Sequence, residues 1–130
     1  MLKLKIRMMA VILFAVFFSG CEPAYPAEIQ TASYYTYESA RREGTSGITA
    51  SGEKFRDSRL TCASWFYPFG TILKVTSLNN GRSINVTVND RGPAKRLVKK
   101  GRVIDLSKKA FESISPLSAG VIPVRIERLS

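Results

Sequence analysis

The sequence predicts a small, mostly β domain with one short helix. Two alternating runs, "TILKVTSL" and "RSINVTVN", meet at Asn79-Asn80-Gly81, a strong hairpin signal. Other short apolar runs are punctuated by Gly, Pro and Asn, and only one stretch, "LSKKAFESI", carries helical spacing. With 130 residues, 45% of them hydrophobic, the chain can bury one modest core in one domain.

In chain order, Lys3, Lys5 and Arg7 precede an uninterrupted apolar run of 11 residues, Met8 to Phe18, and then "SGC". These are the n- and h-regions of a signal peptide, so residues 1–20 are read as a lipoprotein signal. The run is too short for a hydrocarbon core of about 30 Å, so export is expected rather than membrane insertion. "FSGC" resembles the bacterial lipobox, with Phe18 where Leu is usual, and makes Cys21 the lipidation candidate. A competing cleavage site follows Ala27, although Tyr25 occupies a position that favours a small residue. With Cys21 lipidated, Cys62 has no partner and reads as a small buried residue; with Cys21 retained as a thiol, a disulfide stays conceivable.

Residues 21–30 read as a Pro-containing tether and residues 31–130 as the domain. Thr31–Tyr35 is the first strand, and the polar stretch from Glu38 to Gly47 reads as a loop. In the hairpin, Ile84, Val86 and Val88 share one face of the return strand, and Asn85, Thr87 and Asn89 the other. Both central turn residues are expected to have positive φ, as a type I′ turn requires. "GRVID" is a further strand. Leu106, Ala110, Phe111 and Ile114 define the helix, which Pro116 stops, and "VIPVRIERL" closes the chain as an edge or bulged strand because of Pro123.

The formal net charge is +10, and loss of residues 1–20 leaves +7, with 17 Lys and Arg against 10 Asp and Glu. A basic exported protein meets anionic lipid or the carboxylates of the cell wall. Lys95 to Arg102 concentrates five cations in eight residues and reads as a solvated loop. It has neither a recognition-helix pattern nor an aromatic-rich RNA-binding strand, so nucleic acid is not an expected partner.

The chain contains no His, which excludes a Ser-His-Asp triad, a His base and a His metal site, and two Cys have no zinc spacing. Carboxylates, hydroxyls and cations remain, a set suited to sugar chemistry. The acids beside turn signals are Glu53, Asp90 and Asp105. Each also has an ordinary structural reading: exposed turn residue, partner of Arg91 or of turn amides, and, for Asp105, N-cap of the following helix.

"ASYY", "TASGEKF", "LTCAS", "PFGTILKVTSLNNGRSINVTVNDRGP" and "GRVIDLSKKAF" together resemble the rare lipoprotein A (RlpA-like) family over roughly residues 31–128. The resemblance implies a six-stranded double-psi β-barrel, the fold of expansins and barwin-like proteins. It also implies a bacterial envelope lyase. Members are endolytic lytic transglycosylases that cut the MurNAc–GlcNAc backbone of peptidoglycan, prefer strands stripped of stem peptides and leave 1,6-anhydromuramoyl ends.

Carried over residue by residue, the resemblance puts the catalytic Glu at Glu53 and the catalytic Asp at Asp90. Glu53 is expected to be the acid and then the base, Asp90 to stabilise positive charge in the transition state. No metal or organic cofactor is required. Tyr34, Tyr35 and Trp65 are candidates for stacking on sugar faces, or for core packing. Arg91 and Arg102 are candidates for gripping the muramic acid lactyl carboxylate, or, for Arg91, for orienting Asp90. Asn89 and Asp105 complete the groove candidates, Asp105 because expansins use a similarly placed Asp in "DLS".

Two departures from the family stand out. Ser64 occupies the position eleven residues after Glu53 where the family often has His; Ser hydrogen-bonds but carries no charge near neutral pH. "EGTSGI", Glu43 to Ile48, is longer than the usual loop. Three function classes follow: transglycosylase, non-catalytic expansin-like wall binder, and lipid-anchored scaffold for division-machinery proteins. The expected location is periplasmic, on a lipid anchor in the outer membrane.

Overall fold

The computed structural model describes residues 29–44 and 46–130. The signal segment 1–20, the lipidation candidate Cys21 and most of the 21–30 tether lie outside them. The described elements are β1 (Thr31–Tyr35), α1 (Tyr37–Arg42), β2 (Thr61–Ala63), β3 (Ile72–Ser77), β4 (Ser83–Asp90), α2 (Lys95–Val98), β5 (Arg102–Ser107), α3 (Lys108–Ile114), a 3₁₀ turn (Leu117–Ala119) and β6 (Ile122–Arg128).

The six strands close into a barrel in the order β1-β5-β2-β4-β3-β6. Two pairs are parallel, β1 with β5 and β2 with β4; the other four are antiparallel. Alternation places Leu73 and Val75 of β3, Val86 and Val88 of β4, and Ile104 and Leu106 of β5 in one core with Ala32, Cys62, Ile122 and Val124. Helix α3 buries Ala110, Phe111 and Ile114 in that core and packs on β1, β4 and β5. Phe111 is fully buried, so truncating it to Ala removes about 3–5 kcal/mol of stability.

Four sequence expectations are corrected by the structure. The Glu38–Gly47 stretch is not all loop: Thr36 and Ser39 form a reciprocal capping box that starts α1. The cationic run includes the short helix α2, giving three short helices instead of one. The β3–β4 hairpin is present, but no non-glycine residue among those described has positive φ, so the turn is not type I′. Instead Gly81, at φ 74°, donates to Ser77 O, while the Asn80 side chain accepts from Arg82 N–H and donates to Ile114 O. β2, three residues long, is too short to show a period and was legible only inside a motif. Finally, β6 is no edge: it pairs with β3 and β1, and Pro123 is tolerated because Val124 N–H supplies the bond to Gln30 O.

Candidate active site

A groove of about 330 Å³ opens where β1, β4 and β5 end, walled by Tyr34, Tyr35, Ala63, Asp90, Gly92 and Asp105, among others. Asp90, the last residue of β4, presents its carboxylate to three donors. Oδ1 accepts from the backbone N–H of Ala50 and of Arg91, both at 2.9 Å, and Oδ2 from the Tyr35 hydroxyl at 3.3 Å. Burial, then the charge and hydrogen bond of Asp90, push the Tyr35 phenol well above its usual range, so the hydroxyl stays a neutral donor. Its ring is held by stacking on Phe55, centroids 4.5 Å apart.

The opposite wall is built around Asp105. The parallel register pairs Ser33 of β1 with Asp105 of β5, and Ser33 Oγ donates to Asp105 Oδ1 at 2.8 Å. Arg102 donates to the same oxygen through Nε and Nη2, at 3.3 and 3.1 Å. A Cβ on Gly92 would lie 3.2 Å from Ala63 Cβ and 3.8 Å from Asp105 Oδ2, so the missing side chain keeps that oxygen's approach open. Asp105 does not cap α3 as expected; Ser107 does, accepting from Ala110 N–H, because β5 runs on to Ser107 before the helix starts.

Glu53 lies outside the enclosed groove. It ends a tight turn in which Thr49 N–H donates to Glu53 O, and its exposed carboxylate pairs with Arg59 at 3.4 Å. The turn is nevertheless seated on the strand end that carries Asp90: Ser51 N–H donates to Asn89 O and Ala50 N–H to Asp90 Oδ1.

The remaining candidates divide. Tyr34 and Arg102 line the groove, Tyr34 leaning on Phe111 at 4.9 Å between centroids. Ser64 does not reach it: the side chain is buried and its Oγ accepts from Phe66 N–H, while its backbone N–H donates to Asp90 O. Asn89 is likewise buried, not facing solvent as strand alternation predicted, with no partner for its Oδ1 among the described residues. Arg91 also lines the groove, but its guanidinium donates Nη1 to Ser64 O and Tyr67 O and forms no ion pair with Asp90, so its side chain does not orient that carboxylate. Trp65 stands beside the groove, 43% exposed, its Nε1 donating to Pro93 O at 2.7 Å.

Sequence reasoning missed Glu43, Ala63 and Gly92 as groove residues, and Ser33 as the buried partner of Asp105. Gly92 was visible in "DRGP"; Ser33 depends on a strand register and Glu43 on a helix read as loop. Cys62 is a buried thiol with no disulfide partner among the described residues, pushed up to about 12 by burial and then by Asp105, hence no nucleophile near neutral pH. Among the described residues no group of three His, Cys, Asp or Glu could hold a metal ion.

A closed six-stranded barrel of this topology is a double-psi β-barrel. It resembles the Streptomyces papain inhibitor, with TM-score 0.58 and 26% identity over 77% of this chain and 91% of that one. It also resembles the expansin of Clavibacter michiganensis, with TM-score 0.55 and 23% identity over 78% and 49% of the two chains. More narrowly, residues 28–126 match the double-psi barrel family described as lytic transglycolase, and the chain belongs to that family. It is 46% identical over 99 residues to a Nostoc protein named probable endolytic peptidoglycan transglycosylase RlpA, covering 75% of this chain and 24% of the relative. It is 40% identical over 114 residues to the Campylobacter jejuni endolytic peptidoglycan transglycosylase RlpA, covering 78% and 40%. The chain thus spans well under half the length of these relatives.

Proposed function

We propose that this barrel is an endolytic peptidoglycan transglycosylase that cuts the MurNAc–GlcNAc backbone, prefers peptide-stripped strands and leaves 1,6-anhydromuramoyl ends. The supporting observation is the Ala50 N–H to Asp90 Oδ1 bond, which fastens the turn carrying Glu53 to the strand end that presents Asp90. Family membership and the names of the relatives support the peptidoglycan transglycosylase part of this reading.

Glu53 is the acid. Its proton goes to the glycosidic oxygen as the bond to the MurNAc anomeric carbon breaks. The MurNAc 6-hydroxyl then attacks that carbon and gives its proton to the Glu53 carboxylate, so no water is consumed. Asp90, held by three donors, stabilises the positive charge developing on the sugar. The protein acts in the periplasm, tethered to the outer membrane through lipid on Cys21, with division-machinery proteins as candidate partners.

A second reading, an expansin-like wall binder, is favoured by one observation: Ser64, at the family's His position, is buried and offers the groove no charge. Mass spectrometry of fragments released from amidase-treated peptidoglycan separates the two. Anhydro-ended products from the wild type, absent with Glu53→Gln, support the transglycosylase; products persisting with Glu53→Gln overturn the assignment of Glu53, and wall binding without products supports the second reading.

A further inference from the structure

The loop between β2 and β3 carries three exposed aromatic side chains, Trp65, Phe66 and Phe69. Trp65 is fixed. Its indole N–H is bound to Pro93 O, the Lys95 ammonium lies over its ring 4.9 Å from the centroid, and 43% of the residue remains open to solvent. Arg91 braces the same loop from below through Ser64 O and Tyr67 O, with its guanidinium 3.9 Å from the centre of the Phe69 ring. An aromatic surface held this way loses little conformational entropy when a flat ligand covers it.

The platform continues the groove: Pro93, which accepts the indole N–H, and Ala94, which precedes Lys95, both line it. Lys95 forms no ion pair with any described residue, and the exposed cations Arg96, Lys99 and Lys100 follow it. Positive charge beside a rigid ring suits a sugar that carries a carboxylate.

From this juxtaposition we infer that Trp65 and Lys95 form a distal glycan subsite, in which the indole stacks on a pyranose and Lys95 pairs with the lactyl carboxylate of a MurNAc residue. That carboxylate is free only where the stem peptide has been removed, because otherwise it is tied up as an amide. Lys95 therefore selects stripped strands. The inference rests on the glycan reading above but not on cleavage, since the subsite binds whether or not the bond is cut.

The test measures binding by the full chain, in a Glu53→Gln background that keeps strands whole, to amidase-stripped glycan strands and to chitin oligosaccharides, which lack the lactyl group. Lys95→Gln is expected to weaken binding of stripped strands by about threefold at low salt, as for a part-exposed ion pair, and to leave chitin oligosaccharides unaffected. Trp65→Ala is expected to weaken both by about tenfold, and Trp65→Phe, which keeps a ring, by less. Equal losses for both ligands with Lys95→Gln, or unchanged affinity for stripped strands, would overturn the subsite. Absence of anhydro-ended products from the wild type would instead remove the catalytic reading and leave the binding result standing.

Discussion

The Tyr35 hydroxyl donates to Asp90 Oδ2 while its ring stacks on Phe55, so one side chain ties the catalytic candidate at the end of β4 to the loop that leads into β2. Tyr35→Phe keeps the stack and removes the donor. Asp90 retains two backbone donors on Oδ1, so the carboxylate stays in place but loses a fixed rotation. A hydrogen bond to a charged group contributes about 1.5–3 kcal/mol. The expected result is a fall of about tenfold in release of anhydro-ended fragments, with the melting temperature lowered by about 6–15 °C. An unchanged release rate would assign the hydroxyl no part in placing Asp90.

Asp105 gives a different expectation because its Oδ1 is saturated and its Oδ2 faces open groove. Asp105→Asn preserves an acceptor for Ser33 but removes the charge opposite Arg102, whose side chain is largely buried. Urea unfolding should show a loss of about 1–3 kcal/mol. If Oδ2 addresses the glycan, fragment release should fall by about tenfold or more, beyond what reduced stability explains. Lower stability with full release would make Asp105 only a clamp for Arg102.

The strands were legible because their alternation survives folding: Ile84, Val86 and Val88 share the inward face of β4 as the pattern says. What escaped depends on contacts distant in sequence. Asn80 looks like a turn residue with positive φ, yet its amide is occupied by Ile114 O at the end of α3, which fixes a different turn. Asn89 sits on the polar face of β4 by alternation, but the Thr49–Glu53 turn docks on its backbone and the side chain ends buried. At the site, "DRGP" marked Asp90, Arg91 and Gly92, but only the fold separates their roles: Asp90 faces the groove, Gly92 keeps it open, and Arg91 points into the aromatic loop. Ser33 had no local signal, since its meaning lies in a register with a strand about 70 positions away.

Cys62 supplies a pH dependence whose sign follows from burial. The thiol ordinarily titrates near 9 and is pushed up to about 12 in the folded barrel, first by burial and then by Asp105. Above pH 9 the unfolded chain releases this proton while the folded chain keeps it, so the unfolded state binds fewer protons and stability falls as pH rises. The contribution is fully present below pH 9 and is lost progressively toward pH 12. Tyr35, also pushed up, reinforces the loss from about pH 10 upward. Urea unfolding at pH 7, 9, 10 and 11 should show this decline. Cys62→Ala should cost about 1 kcal/mol at pH 7 by removing a buried atom, and should flatten the fall between pH 9 and 11. A variant curve parallel to the wild type would show that the buried thiol does not set the alkaline limit, leaving Tyr35 and its bond to Asp90 as the group to test next by the same measurement on Tyr35→Phe.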